Sequence, residues 1–471
     1  MTVPPTTGTA LDAHRAANAA AGALDAVCAA IEAAGVEYIY YQGVTITGRI
    51  IGKVVPAAHL RRNAEKGVQL HRTVVADLQS TRGGELLGGG VEAAELTMVP
   101  DLDTFAVLPW NSPGGSPMGR FFCRMYEPAH MPGGVGGQPL ATDVRGNLIR
   151  VHAAFTAATG LELRSGCEPE MTWTGPELEA KFRPGSSPAY HIEHLERYRA
   201  IYQKVIAYAR ALGLDMIEGD YEDPGQLELN WMFDHAGLTA DRLVTYRQIC
   251  RQVGRELGVT PSFMPKPATG MMGNGCHHNV SLWDVATGTN VLEEPGVTEL
   301  HLTDTGRHAL GGILAHAAGG MAVFGSTVNS YKRYWDAGQF APSQINWGMD
   351  NKTCTVRLSA VGRLEFKLPD AMVNPYLSHA ILIKSIEDGL AVGIDPGAPQ
   401  VGSSYGGTSK FAKLPLTLGE ALAAFEADDV VRSALGDELA DLYVAYKSDE
   451  WARFCGTVTE WEFAMYSEAL P

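Results

Sequence analysis

The chain has no Cys-x-x-Cys pair. Its seven cysteines stand singly at 28, 123, 167, 250, 276, 354 and 455. This odd, dispersed set excludes a disulfide framework and a cysteine-built zinc site, and fits reduced thiols in the cytoplasm. Positive charge is scarce as well: 37 Lys and Arg against 53 Asp and Glu leave a net charge of −16. Neutralising a phosphate backbone takes clustered basic residues, so a general nucleic-acid footprint is excluded. No long apolar run is present. The most apolar stretch, 309–324, is interrupted by His316 and several glycines, which suits a buried helix and not a membrane span. The N-terminus has no basic start followed by an apolar stretch, so no secretory signal is expected. No G-x-x-x-x-G-K-[ST] occurs either. The stretch Gly133-Gly134-Val135-Gly136-Gly137 has neither the lysine nor the helix context of a phosphate loop. A nucleotide bound here needs metal ions and arginines to hold its phosphates.

What is present describes a globular protein. Hydrophobic residues make up 45% and charged residues 19% of 471 positions, enough for two or more domains around a large core. Residues 18–35 read as an alanine-rich helix stopped by Gly35. Two β-type runs follow, Val36–Tyr41 and Val44–Lys53, and short strands continue to Trp110. Asn111–Pro117, with two prolines and two glycines, reads as a domain linker. Helices are expected over 192–212 and 242–257, strands near 278–284 and 353–368, and a mostly helical end over 417–470.

Against this background one set of residues stands out: Glu168-Pro169-Glu170, Glu222, Glu228 and Glu365, with His277. Glu168 and Glu170, two apart on an extended strand, project from the same face. Like charges held that close repel each other unless a cation lies between them or one takes a proton. Carboxylate oxygens with one imidazole suit Mg²⁺ or Mn²⁺ better than a softer metal. Each piece alone has a plainer reading. Glu-Pro-Glu is usually a solvated strand edge, His277-His278 a hydrogen-bonded core pair, and Phe233 core packing.

The order of the motifs changes those odds. Gly166-Cys-Glu-Pro-Glu170, Pro224-Gly-Gln-Leu-Glu228, Gly275-Cys-His-His-Asn-Val-Ser281, Asn329-Ser-Tyr-Lys-Arg333 and Arg363-Leu-Glu-Phe-Lys-Leu-Pro-Asp370 follow one another along the chain. In that order and at those intervals they resemble the glutamine synthetase family over nearly the whole length. The resemblance implies an α+β fold: an N-terminal β-grasp domain over residues 15–118 and an α/β catalytic domain over 119–471 built on a partial barrel. It implies ATP and two or three Mg²⁺ or Mn²⁺ ions, L-glutamate as the acyl donor, and a homo-dodecamer of two stacked hexamers with active sites between subunits. Glu170 and Glu228 match ligands of one metal, with Glu222 as their third partner or Asp220 in its place. Glu168, His277 and Glu365 match ligands of the metal that grips the ATP phosphates. Arg357 and Arg363 match phosphate-facing arginines, Arg333 the arginine that pairs with the substrate α-carboxylate, and Phe233 and Ser281 positions near the adenine.

Several positions depart from the family. Lys352 stands where it has a phosphate-binding arginine, and Lys367 replaces an arginine after Glu365; lysine keeps the charge but loses the bidentate fork. Asp350 occupies another usually basic place, and Met272 a place where asparagine contacts glutamate. Two departures bear on ammonia. The family holds ammonium with an aspartate of the N-terminal domain and with a flap glutamate before an Ala-Pro. Here Thr45 takes the first place, and Phe340, before Ala341-Pro342, takes the second. The segment is one residue longer than usual, which leaves Gln339 or Asp336 as alternatives. With Trp335 and Tyr334 nearby, such a site is neutral and apolar, and an isolated ammonium is costly to desolvate there. The expectation is a ligase joining the glutamate γ-carboxylate, through a γ-glutamyl phosphate, to an arylamine such as aniline or a small apolar alkylamine. An ammonia-using glutamine synthetase and a non-catalytic sensor or scaffold are the alternatives.

Overall fold

The computed structural model describes residues 8–20, 22–110, 114–175, 178, 188–335, 340–405 and 410–469. Two sheets organise them, in an α+β fold. The first contains β1 (Tyr38–Val44), β2 (Ile50–Pro56), β3 (Val68–His71), β4 (Glu95–Pro100), β5 (Ala106–Val107) and β6 (Met118–Tyr126). Its order is β2-β1-β6-β4-β3, with β5 on β6. β1 and β6 run parallel at its centre, and the other pairs are antiparallel.

β6 corrects the expected boundary at 118. It follows the presumed linker yet sits inside the first sheet, where Phe121, Phe122 and Cys123 are buried. Proline and glycine mark a turn, but they do not say which sheet the next strand joins. The helix expected over 18–35 is also different. Two helices, Ala10–Ala19 and Ala23–Ala33, are separated at Gly22, whose φ of 98° no helical residue adopts. The expected helix over 192–212 is likewise two, Ile192–Arg197 and Arg199–Ala211.

The second sheet contains β7 (Leu161–Thr174), β8 (Met216–Tyr221), β9 (Gln226–Trp231), β10 (Asp234–His235), β11 (Thr260–Ser262), β12 (Cys276–Asp284), β13 (Thr289–Asn290), β14 (Trp347–Met349), β15 (Val356–Ala360) and β16 (Arg363–Phe366). Its main path is β14-β15-β16-β12-β7-β9-β8, antiparallel except for β14–β15 and wrapped toward a barrel. β7 is its spine, pairing with β9, β10, β11 and β12. Behind it the helix Ala236–Leu257 packs Tyr246, Ile249 and Cys250 against Cys167, Met171 and Cys276. Side chains alternate along a strand, so packing Cys167 and Met171 behind the sheet sends Glu168 and Glu170 to the front.

Buried polar contacts join the two sheets. Asn374 donates from Nδ2 to the carbonyls of Thr45 (3.1 Å) and Ile46 (3.0 Å). Arg145 bridges Asp101 and Asp241, and the Tyr376 hydroxyl donates to Asp241 at 2.7 Å. Among the described residues no single helix is long and apolar enough to cross a membrane.

Candidate active site

Strand register gathers the sequence-predicted acids. Residues directly opposed in an antiparallel pair share a face. Glu168 lies opposite His277, Glu170 opposite Glu228, and Glu228 opposite Asp220. Glu365 lies opposite both Asn279 and Arg357. Residues far apart in sequence thus meet on one face of β8, β9, β7, β12, β16 and β15.

Within this row, His277 Nδ1 lies 3.3 Å from Glu168 Oε2 and 3.6 Å from Glu365 Oε1. One ligand atom from each of the three falls within 4.8 Å of the others. Glu170 accepts from the Gly275 N–H at 2.6 Å and from Gln226 Nε2 at 3.0 Å. Gly275 has no room for a side chain: a Cβ there would stand 3.0 Å from both Arg333 Nη2 and His277 Nε2 and 3.2 Å from Glu170 Oε1. Asn230 Nδ2 donates to Glu228 at 2.7 Å, and Asn279 Nδ2 to Glu168 at 2.7 Å.

The electrostatics are those of crowded acids. Burial lifts Glu170 to about 7, against Arg333 and the Gly275 N–H and with a further push from Glu222. Burial and the charge of Glu222 lift Asp220 to about 7 as well. Glu228 is pushed well above its ordinary value by burial and by Glu168 and Glu170. Burial and the nearby Lys367 hold His277 well below its ordinary value, so its imidazole is neutral with a lone pair to offer. Burial acts to raise Glu365, but Lys367, His277 and Arg357 keep it below the usual carboxylate value. A neutral imidazole among hard carboxylates, several destabilised by one another, fits divalent cations of the Mg²⁺ and Mn²⁺ kind. Asp220 and Glu222 both reach this cluster, the first opposite Glu228 and the second close enough to act on Glu170.

Cations surround the same face. Arg333, buried on the helix Ser330–Trp335, brings Nη2 to 3.4 Å from His277 Nε2. Lys367 Nζ lies 3.4 Å from Glu365 and 3.5 Å from His277. Arg357 donates to Glu365 at 2.8 Å and to Asp350 at 2.9 Å. Arg363 donates to Ser359 Oγ at 2.8 Å, and among the described residues its buried Nε has no partner. The exposed Lys352 lowers the pKa of Asp220 by its charge, so it stands at the edge of the cluster.

The far end of the row is different. Trp283 Nε1 donates to Ser281 Oγ at 2.9 Å, the Phe233 ring lies 6.0 Å from Trp283, and the Arg164 guanidinium covers Trp283 at 4.3 Å. From Glu170 through Glu168 and Gly166 to Arg164, one face of β7 covers about 20 Å at the strand rise. That length suits a nucleotide lying from phosphates to base, with the side-chain-free Gly166 as floor.

The residues expected at the amine pocket make contacts outside the row of acids. Thr45 has no exposure. Its Oγ1 lies 2.9 Å from Thr47 Oγ1 and accepts from the Arg49 N–H at 3.3 Å, because the β1–β2 turn folds the hydroxyl inward. Trp335, two positions beyond Arg333 on a helix, points about 200° away from it; its Nε1 donates to the Leu416 carbonyl at 3.1 Å. Phe340 is 48% exposed, with φ of 59° and Lys352 Nζ 5.9 Å from its ring. Asp336 and Gln339, the alternatives to Phe340, lie outside the described residues.

Sequence reasoning missed the amides. Asn279, Gln226 and Asn230 each stand two positions from a predicted ligand, and the same alternation that linked Glu168 to Glu170 also places them on the front face.

Comparison with known proteins agrees with this geometry. Residues 141–466 match the family described as glutamine synthetase, catalytic domain, whose members use ATP and divalent metal ions. A glutamate–methylamine ligase of Methyloversatilis universalis is 33% identical over 455 residues, 92% of this chain and 96% of its own. A glutamine synthetase of Rhizobium meliloti is 36% identical over 327 residues, 67% of this chain and 75% of its own. Among solved structures, the GmaS/ADP complex superposes with a TM-score of 0.83 at 30% identity, over 94% of this chain and 99% of that one. The chain belongs to the glutamine synthetase family and is an ATP-dependent ligase.

Proposed function

We propose that this ligase joins the γ-carboxylate of L-glutamate to an organic amine, an arylamine such as aniline or a small apolar alkylamine, in preference to ammonia. The observation that carries the reading is Phe340: an exposed aromatic ring under the Lys352 ammonium where an ammonium site calls for a carboxylate. A cation entering beside Lys352 is repelled, and the ring offers it no counter-charge beyond a weak cation–π contact. Aniline, neutral at physiological pH, meets neither obstacle; an alkylamine arrives protonated as ammonia does and gains over it by packing its alkyl group on the ring. The glutamate–methylamine ligase among the relatives supports the same substrate class.

In this reading Glu168, His277 and Glu365 hold one Mg²⁺ or Mn²⁺ ion, and Glu170, Glu228 and either Asp220 or Glu222 hold another. The ions, when bound, offset the negative charge of the ATP phosphates. Arg357, Arg363, Lys352 and Lys367 face those phosphates, Arg333 pairs with the glutamate α-carboxylate, and Phe233 and Ser281 flank the base. The γ-phosphoryl group passes to the glutamate γ-carboxylate. The amine nitrogen then attacks the acyl carbon, the C–O bond to phosphate breaks, and the amine loses one proton. The active assembly is a homo-dodecamer of two stacked hexamers, for which light scattering is the check.

An ATP-consumption assay over ammonia, methylamine, isopropylamine, ethanolamine, putrescine and aniline tests the substrate. The expected order puts aniline or the small apolar alkylamines first. Turnover with ammonia that matches or exceeds every organic amine would overturn it.

A further inference from the structure

Behind the second sheet, on the side away from the acids, lies a cavity of about 370 Å³ with an opposite character. Four arginines line it. Arg49 comes from the β1–β2 turn, and Arg247, Arg251 and Arg255 form an i, i+4, i+8 stripe on the helix Ala236–Leu257. Among the described residues no aspartate or glutamate lines the cavity, and none of the four arginines forms an ion pair. Like charges at i, i+4 destabilise a helix, so this stripe works against its own fold unless something negative lies over it.

The floor is built. Arg247 is 7% exposed. Its Nη2 donates to the carbonyls of Ala371 and Val373, both at 2.8 Å, while its buried Nε has no partner among the described residues. Gln248, also lining the cavity, leaves a buried Oε1 unpartnered. Phe263 forms an apolar wall, with the guanidinium groups of Arg247 and Arg251 about it at 5.9 and 6.0 Å. Planar guanidinium groups pair with carboxylate and phosphate in fork geometry, and the volume is at the small end for a metabolite pocket.

We propose that this cavity binds a small polyanion carrying phosphate or carboxylate groups, held by Arg49, Arg247, Arg251 and Arg255 and separate from the ligase centre. Because Arg49 belongs to the first sheet and the other three to a helix of the second, the ligand clamps the two together.

Calorimetric titration of the full-length protein with pyrophosphate and with citrate, after metal has been removed on a chelating resin, tests this. Without metal, the acidic front face repels anions and leaves the arginine cavity as the attractive site. Expected is one site per chain, weakening with salt, and at least a tenfold loss of affinity in Arg251→Gln/Arg255→Gln and in Arg49→Gln. Arg49, Arg251 and Arg255 are exposed in the chain, so these variants should fold and keep ATP-dependent turnover. Tighter pyrophosphate than citrate assigns a phosphate ligand, and the reverse assigns a carboxylate. Absence of binding by both anions overturns the proposal, as does binding that the variants leave unchanged. Loss of ring assembly in the variants, with no anion bound by the unaltered protein, overturns it in favour of a socket for a neighbouring subunit.

Discussion

His277 and His278 are adjacent, identical and buried, yet they belong to different chemistries. His277 faces the front of the sheet, within 3.6 Å of Glu168, Glu365, Arg333 and Lys367. His278 faces the back. It stacks on His379 at 4.5 Å, its Nε2 lies 2.8 Å from Ser378 Oγ, and its Nδ1 lies 3.6 Å from Cys167 Sγ. Around His278 the back is neutral and hydrogen-bonded, so this part of it contributes stability. The front concentrates acids that raise one another's pKa values, so it costs stability until cations enter. One strand separates a core from a catalytic face by the alternation of its side chains alone.

Substitutions on the two faces should therefore have opposite effects. Glu228→Ala or Glu168→Ala should lower kcat by about 10³-fold or more, given what loss of a single transition-state contact costs, while leaving the metal-free melting temperature unchanged or higher. His278→Ala should lower stability by about 1–3 kcal/mol through lost buried hydrogen bonding, with kcat per folded molecule changed only a few-fold. Steady-state kinetics and denaturant melts of the same samples distinguish the two. Equal kinetic losses on both faces would break the comparison.

Phe340→Glu sharpens it on the substrate side. Placing a carboxylate beside Lys352 should raise kcat/KM for ammonia relative to the best organic amine by about 10–100-fold, the worth of one hydrogen bond to a charged group. The amides come next. Asn279→Ala and Gln226→Ala should weaken Mn²⁺ binding by about 10–100-fold, as loss of groups that orient metal ligands does; Ser378→Ala, behind the sheet, should not. Asp220→Asn and Glu222→Gln, titrated in the same way, identify the third ligand beside Glu170 and Glu228.

The smallest effect lies far from both faces. His316 Nδ1 is 2.9 Å from Asp428 and its Nε2 is 3.1 Å from Asp388. Burial disfavours the imidazolium, but the two carboxylates outweigh it and raise the pKa above 6.5. A raised pKa stabilises the fold fully below the unfolded value and loses that contribution as pH rises through the folded one. His316→Ala should therefore lower the melting temperature more at pH 6 than at pH 9, by an increment of at most about 1 kcal/mol for a partly exposed pair.

The front face was legible in the sequence because its information is local. Two glutamates at i, i+2 share a face whatever the fold, and the order of the motifs located Glu228, His277 and Glu365. What escaped depends on non-local pairing or on element type. Asn279 matters because the β12–β7 register sets its amide against Glu168, and nothing near residue 279 encodes that register. Trp335 looked like a neighbour of the site while its backbone was unknown, and a helix carries it to the other side of Arg333. Thr45 is buried because a turn and the Asn374 amide close over it, a contact between residues 329 positions apart. The boundary expected at 118 falls at the start of β6 for the same reason: its partners β1 and β4 precede the proline-rich segment that reads as a linker.

The central claim, that a neutral lip selects an organic amine, is tested most directly by competition. The enzyme is supplied with ATP, Mg²⁺, L-glutamate and equal concentrations of ammonium and of the best amine from the panel, and products are counted by mass spectrometry. The account predicts the γ-glutamyl amide as the main product, with the ratio shifting toward glutamine in Phe340→Glu. Glutamine as the main product of the unaltered enzyme would contradict it.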